Sequence, residues 1–586
     1  MCGIFAYIGD RKNAGEIILS GLKALEYRGY DSWGIATKTD ANQITVIKRV
    51  GKIGNATIKN EESSIGIGHT RWATHGGVKE INSHPHTSCN NEIIVVHNGI
   101  VDNHEQLRKE LTLKGHKFIS ETDTEVLAHF LEEEYKKNND PIESMHLLKQ
   151  TISGLNAIIV FFTKENIFLI YKNGSPIVVG KQKNELFVAS DPVALAPHTK
   201  NMYFVEDNEM LTLDKDGIFL INSKNQKNAI KFKKINYSIN EGSKSGFDHF
   251  MIKEINEQYE IIVNILTNEI SSIEEIAKKI KESFGTYLVG CGTASYAAIA
   301  GVYFFSKIAR RHLNSTFGSE FSYLLDFIRR KTLVIALSQS GETIDTISSV
   351  KKAKEKGAEL IAIVNQANST LDRLSDKSLY LHAGPEKAVA STKAYTAKIT
   401  YLFLLSHAVA STLTQGIKDI EDAAQEVKRV ISDSDLIKKL AQKLISNKHI
   451  FILGRGISYA CALESALKIK EVSYIHAEGI AAGELKHGVI ALIEKGTPVI
   501  VYNPKDETYD DTLSAAYEVK ARGAMVIGVS ENPSDAYDIH IPVKFCGNAT
   551  IIPQVVVAQL LGYYLAVLRD LDPDMPRNLA KSVTVK

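Results

Sequence analysis

Two stretches of this chain read as copies of one another, and a copied stretch must adopt a fold that suits both places. TYLVGCGTASYAA from Thr286 returns as IFILGRGISYACA from Ile450, so that Gly290 and Gly292 correspond to Gly454 and Gly456 at a spacing of 164. Further on, TLVIALSQSGETIDTISSVKKAKEKGAELIAIVN from Thr332 returns as TPVIVYNPKDETYDDTLSAAYEVKARGAMVIGVSEN from Thr497, at a spacing of 165. Within each copy, continuous apolar runs (LVIAL and LIAIV, VIVY and MVIGV) alternate with helical stretches, the pattern of parallel strands covered on both faces. The repeat therefore predicts two α/β doubly wound domains, over residues 247–435 and 436–570.

Ahead of the repeat the pattern changes. Short alternating runs (GIFAYIG, SIGIGHTRWA, NEIIVVHNGIV, NAIIVFFTKENIFLIYKNGSPIVVG) predict an α+β domain over residues 1–221, of stacked, largely antiparallel sheets with helices over 15–25 and 124–135. Residues 222–246 are rich in Lys, Asn and Ser and are expected to be a linker. Residues 571–586, with two prolines and no helical period, are expected to form a docked extended tail. A net charge of +1 over 586 residues lacks the basic excess of a nucleic-acid binder, so the expected partners are small molecules. The five cysteines, Cys2, Cys89, Cys291, Cys461 and Cys546, are scattered and form no C-x-x-C pair, so neither a disulfide framework nor a zinc site is expected. No run of 18 apolar residues stands out and no signal peptide is recognisable, so a cytoplasmic chain with no membrane contact is expected.

Three places could carry chemistry. A cysteine directly after the initiator methionine becomes an N-terminal nucleophile once the methionine is trimmed, its thiol (pKa about 8.5) and α-amine (about 8) being matched for proton exchange; otherwise Cys2 is an accident of the start site. LSQSGET follows a buried strand and opens a helix, which puts Ser338, Gln339, Ser340 and Thr343 beside free backbone N–H groups; this is either a phosphate seat or a plain helix cap. Thr293, Ser295 and Ser391 add hydroxyls, and no P-loop or GxGxxG fingerprint is complete. In ALESALKIKE, Glu464, Lys468 and Glu471 fall on one helical face, as a solvated stripe of ion pairs or as site residues. HAEGIAAGELKHG, from His476, follows with glycines that would allow a tight loop around a ligand.

The motifs MCGIFAYIG, LEYRGYDSWG, GHTRWATHG, NGIVDNH and ETDTE resemble those of the class II, N-terminal-nucleophile glutamine amidotransferases. Joined to two sugar-isomerase (SIS) domains carrying SQSGET, ASTKAYT, YIHAEG, GELKHG and NLAKSVTVK, they resemble the isomerising glutamine:fructose-6-phosphate aminotransferases over essentially the whole chain. The resemblance implies conversion of L-glutamine and fructose 6-phosphate to glucosamine 6-phosphate and glutamate, the first step of hexosamine biosynthesis, by a homodimer without metal or organic cofactor. It makes Cys2 the nucleophile and Asn98 and Gly99 the oxyanion hole. Arg71 and Asp123 become the holders of the glutamine α-carboxylate and α-ammonium, with Trp72, Thr74 and His75 in the glutamine loop. Thr293, Ser338, Gln339, Ser340, Thr343 and Ser391 would bind the sugar phosphate. Lys581 would form the Schiff base, His487 would open the ring, Glu471 would move the proton and Lys468 would support it. Two departures accompany it: Ala294 stands where a hydroxyl is usual, and Tyr259 where proline is common. The weighed alternatives are a related glutamine-dependent sugar-phosphate aminotransferase or deglycase, and a non-catalytic SIS sensor of sugar phosphates.

Overall fold

The computed structural model describes residues 2–58, 62–235 and 244–584. It divides into two compact units, one of residues 1–241 with 580–586 and one of residues 242–579. Met1, part of the expected linker and the last two residues of the expected tail lie outside the described residues.

The N-terminal unit is a four-layer stack. An eight-stranded sheet has Gly3–Ile8 near its middle, paired antiparallel with Ser63–Arg71 on one side and Glu185–Ala189 on the other. A seven-stranded sheet includes Ile93–Gly99, paired antiparallel with Asn156–Phe162. Period-two alternation sorts the side chains between layers. Ile4, Ala6, Ile94 and Val96 meet in the core between the sheets. Phe5 and Tyr7 turn outward to the helix Ala14–Leu25, while Ile93 and Val95 turn to the helices His104–Leu113, Glu125–Asn138 and Pro141–Thr151. Both faces of each sheet carry packed side chains, so the strands are buried on both sides although their sequence runs are short. The stretch expected as a linker from residue 222 contributes two short edge strands, Lys227–Ala229 and Lys233–Lys234. Their lysines suit an exposed edge, where charge discourages further pairing, and that polarity is what made the stretch resemble a linker.

The C-terminal unit holds the two copies. The first sheet is ordered Asn314–Phe317, Gly285–Gly290, Thr332–Ser338, Glu359–Val364, Lys377–Tyr380, and the second His476–Ala481, His449–Gly454, Pro498–Tyr502, Met525–Ser530, Ile539–Pro542, all parallel. Each has the order 2-1-3-4-5, the α/β doubly wound topology. The equivalence reaches single dihedrals. Gly292 (φ 55°, ψ −129°) and Gly456 (φ 57°, ψ −128°) precede the equivalent helices Thr293–Lys307 and Ile457–Ser473 in a conformation closed to residues with a Cβ.

Three expectations are revised here. HAEGIA is a strand, not a loop around a ligand: a Cβ on Gly479 would lie 2.5 Å from the Ala462 carbonyl oxygen, so this glycine lets the helix Ile457–Ser473 close onto the sheet. Residues 547–568 are long and apolar enough to cross a bilayer by composition, but most of that stretch is buried, and the helix Ile551–Leu568 is packed inside the C-terminal unit. Its polar members bond internally, Gln559 accepting from Gln258 at 2.8 Å and Gln554 from Ser458 at 3.2 Å. The tail is not one arm. Asp574 accepts from the Phe250 and Met251 amides, both at 2.8 Å, at the start of the helix Phe250–Asn256. Ser175 then donates to the Thr584 carbonyl at 3.1 Å within the N-terminal unit.

Candidate functional site

Cys2 stands at the head of the central strand of the eight-stranded sheet, where Thr70 and Ser190 hydroxyls accept from the Gly3 and Ile4 amides, both at 3.0 Å. Its Sγ accepts from the Trp72 amide at 3.3 Å. Burial pushes the thiol pKa up, against the opposing pull of that N–H and of the Arg71 charge, so the resting group is a thiol in need of a base.

Asn98, near the end of the Ile93–Gly99 strand of the other sheet, donates from Nδ2 to the Cys2 carbonyl at 3.0 Å. The amide orientation is set from behind. His69 Nε2 lies 3.1 Å from both the His97 carbonyl and Asn98 Oδ1; both are acceptors, so Nε2 carries the proton. Flipping the amide would oppose two oxygens at Cys2 and two N–H groups at His69. Burial lowers the His69 pKa to about 3, so the ring stays neutral in this tautomer. It stacks on His84 at 4.1 Å, whose Nδ1 accepts from the His97 amide at 3.3 Å. His69 lies inside GHTRWATHG, but its role was not legible there, because it comes from a cross-sheet contact.

Arg71 is buried and donates to the carbonyls of His75 (2.5 Å), Gly76 (3.0 Å) and Gly77 (3.2 Å), fixing the half-buried loop that carries Trp72, His75 and the exposed Thr74. Asp123, also buried, accepts from the Val101 amide at 2.8 Å, beyond the Asn98-Gly99 corner. Cys2, Arg71, Trp72, Asn98, Gly99 and Asp123 are thus joined through short bonded paths in one unit.

In the C-terminal unit, Thr293 and the loop of Ser338 to Thr343 follow the first and third strands of the first copy, the point where the strand order reverses and where such sheets bind ligands. Ser338 accepts from the Gly341 amide at 3.0 Å and lies 3.4 Å from the Thr343 hydroxyl; Ser340 accepts from the Glu342 amide at 3.1 Å, and the Gln339 carbonyl accepts from Asn365 at 3.1 Å. The helix Ile344–Glu355 starts there without a side-chain cap bond. The second copy has Asp506 instead, whose carboxylate accepts from the Thr508 amide (2.8 Å) and hydroxyl (2.7 Å). That carboxylate stands, at the spacing of 165, where the first copy has Gly341. Ser295 beside Ala294 donates its hydroxyl to the Gly292 carbonyl at 2.6 Å, which commits it to its own helix. Ser391 donates to Glu386 at 3.1 Å, and Glu386 also accepts from the Thr392 (2.9 Å) and Ala394 (3.1 Å) amides; this helix-capping carboxylate was not foreseen.

The charged stripe is not solvated. Lys468 and Glu464 are fully buried, with the Lys468 ammonium 3.0 Å from Thr293 Oγ1, 3.4 Å from Glu464 and paired with Glu471. Burial pushes Glu464 up to about 8, while its two carboxylate neighbours keep Lys468 protonated in spite of burial. A Lys468-Thr293-Glu464 chain so ties the helix Ile457–Ser473 of the second copy to the start of the helix Thr293–Lys307 of the first. His487 lies exposed on the short helix Ala482–His487, and Lys581 is half-buried in the part of the tail that belongs to the N-terminal unit. Tyr259 sits in the first turn of the helix Gln258–Asn268, where proline would also fit, and accepts from Gln425 at 3.2 Å.

Residues 47–242 match the glutamine amidotransferase domain family, and residues 279–408 and 443–569 match the SIS domain family. Over 100% of both chains, this sequence is 41% identical to the glutamine--fructose-6-phosphate aminotransferase [isomerizing] of Thermococcus kodakarensis and 41% identical to that of Clostridium tetani. The solved C-terminal domain of glucosamine-fructose-6-phosphate aminotransferase from Francisella tularensis superposes with a TM-score of 0.55 at 31% identity, covering 57% of this chain and 100% of that one. With an N-terminal cysteine and its oriented amide in one unit, two SIS copies in the other, and relatives matching end to end, this chain belongs to the isomerising glutamine--fructose-6-phosphate aminotransferase family.

Proposed function

We propose that this enzyme takes nitrogen from L-glutamine and places it on fructose 6-phosphate, giving glucosamine 6-phosphate and glutamate. The observation that carries the reading is the asymmetry of the duplicated unit: one copy keeps a hydroxyl-lined anion loop and the other supplies the buried Lys468-Glu471 pair, so a phosphate and a proton-transfer group meet across a repeat. With Met1 removed, the Cys2 α-amine takes the thiol proton and the thiolate attacks the glutamine carboxamide. An amide nitrogen carries two protons. One of those on Asn98 Nδ2 serves the Cys2 carbonyl, and the other, with the Gly99 N–H, serves the oxyanion that develops in the tetrahedral state. Arg71 and Asp123 match the two charges of the amino-acid end, with Trp72, Thr74 and His75 closing over it.

The ammonia released is channelled to the sugar, and water then frees glutamate from Cys2. Thr293, Ser338, Gln339, Ser340, Thr343 and Ser391 hold fructose 6-phosphate. His487 opens the ring, Lys581 condenses with the ketose carbonyl with loss of water and holds it as an imine, ammonia then displaces the Lys581 amine, and Glu471 moves a proton between the first two carbons with Lys468 beside it. A thiol and an amine supply both covalent steps, so these steps call for no metal or organic cofactor. We read the enzyme further as a cytoplasmic homodimer, in keeping with five free cysteines and an exposed His487 able to meet a second chain. The test is a product assay with glutamine and fructose 6-phosphate. Stoichiometric glucosamine 6-phosphate and glutamate are expected; glutamate without amino sugar would overturn the reading.

A further inference from the structure

Away from both sites, the outer face of the N-terminal unit gathers four side chains whose sequence positions give no sign of their meeting. Cys89 lies in the turn before the strand Ile93–Gly99, His116 follows the helix His104–Leu113, and His129 and Glu132 sit one turn apart on the helix Glu125–Asn138. One donor atom from each lies within 4.8 Å of all the others. Cys89 Sγ is 3.8 Å from His116 Nδ1 and 3.6 Å from His129 Nδ1, and Glu132 Oε2 is 3.3 Å from His116 Nδ1 and 3.6 Å from His129 Nδ1. A regular tetrahedron built on zinc bond lengths of about 2.3 Å to sulfur and about 2.05 Å to nitrogen or oxygen has edges of about 3.6 Å (S to N) and about 3.3 Å (N to O). The four separations given match those edges to within a few tenths of an ångström, and the other two, sulfur to oxygen and nitrogen to nitrogen, are at most 4.8 Å.

The surroundings are also those of a metal site. The remaining ring nitrogen of each histidine faces a carboxylate, His116 Nε2 at 3.4 Å from Glu133 and His129 Nε2 at 3.5 Å from Glu125, the arrangement that orients imidazole toward a metal. Glu125 is itself held by the Ile119 (2.8 Å) and Ser120 (2.7 Å) amides, and Glu132 accepts from the Cys89 amide at 3.0 Å. The rings and Glu132 are each no more than 4% exposed in their side chains, while Cys89 is exposed and leaves an entry path. With each Nε2–H turned to its outer carboxylate, both Nδ1 lone pairs face the Glu132 oxygen and the Cys89 sulfur, so acceptors converge on one point, which plain ion pairing does not explain.

We infer that Cys89, His116, His129 and Glu132 bind one zinc-class divalent ion as a closed, structural site. The ion clips the Cys89 turn and the His116 loop to the helix that begins just after Asp123. Loading releases the thiol proton, since the ligand is the thiolate.

Untagged full-length protein, reduced and stripped with chelator, should bind one Co(II) per chain. Tetrahedral d–d absorption and a thiolate-to-cobalt charge-transfer band should appear, and Zn(II) should abolish both. Cys89→Ser should lose the charge-transfer band while Cys2→Ala retains it. Glu133→Gln should weaken Zn(II) binding about 10- to 100-fold, the usual cost of losing an orienting partner. Zn(II) should also raise the thermal midpoint of the wild type. Less than a tenth of an equivalent of Co(II), an octahedral spectrum, or a charge-transfer band that survives Cys89→Ser would overturn the assignment, and Cys89, being exposed, can be replaced without unfolding the core.

Discussion

Asn98 shows how much rests on a single amide. Its Nδ2 is aimed at Cys2 by a neutral, buried His69 rather than by its own strand. Replacing it with alanine should slow glutamine hydrolysis about 10²- to 10³-fold in kcat with little change in KM, because an oxyanion donor acts only in the transition state. Steady-state glutamate release checks this, and a KM effect alone would move Asn98 to substrate binding. Lys468 and Glu464 offer a contrast. Glu464, near neutral through burial, should tolerate Glu464→Gln within about 1 kcal/mol, whereas Lys468→Met strands Glu471 and Thr293 and should cost about 3–5 kcal/mol in urea unfolding, the scale for breaking a buried pair.

Among the elements, the loop from Ser338 into the helix Ile344–Glu355 depends on Gly341. Its φ is +67°, and a Cβ there would lie 2.0 Å from Ser369 Oγ. Gly341→Ala should therefore cost on the order of 1–3 kcal/mol and displace the amides that face the anion seat. We expect a raised KM for fructose 6-phosphate with glutaminase activity unchanged, since the loop belongs to the other unit; kinetics with each substrate varied in turn separate the two. The tail is the second element with a testable part. Lys581→Ala should abolish glucosamine 6-phosphate formation and retain some glutaminase activity, and borohydride with fructose 6-phosphate should label Lys581 in the parent enzyme. A fully active Lys581→Ala enzyme would refute the imine.

For the molecule as a whole, acid should not act evenly. His69, His84, His86 and His97 in the N-terminal unit all have pKa values lowered by burial, to about 3 for His69, whereas among the described residues of the C-terminal unit only His407 is so lowered. A histidine depressed in the folded state binds its proton more readily when unfolded, so its share of stability is full above about pH 6.5 and is lost as pH falls from there toward the folded value. Between pH 7 and 5 the denaturation midpoint of the N-terminal unit should fall while that of the C-terminal unit moves less; calorimetry resolving two transitions would show it, and a pH-independent first transition would contradict it. The sequence by itself determined the duplication, the α/β class of the repeated half, the antiparallel α+β class of the first half and the motifs that hold Cys2, Asn98 and the Ser338 loop, because these are written in short periods and contiguous text. It misjudged the polar strands after residue 222, the HAEGIA strand and the undivided tail, whose composition is that of loops. Only the tertiary structure decided that the Lys468 stripe is buried, that His69 orients Asn98, and that Cys89, His116 and His129 converge on Glu132. Each of those depends on residues distant in sequence meeting across layers, and neither helical nor strand periodicity carries any record of such a meeting.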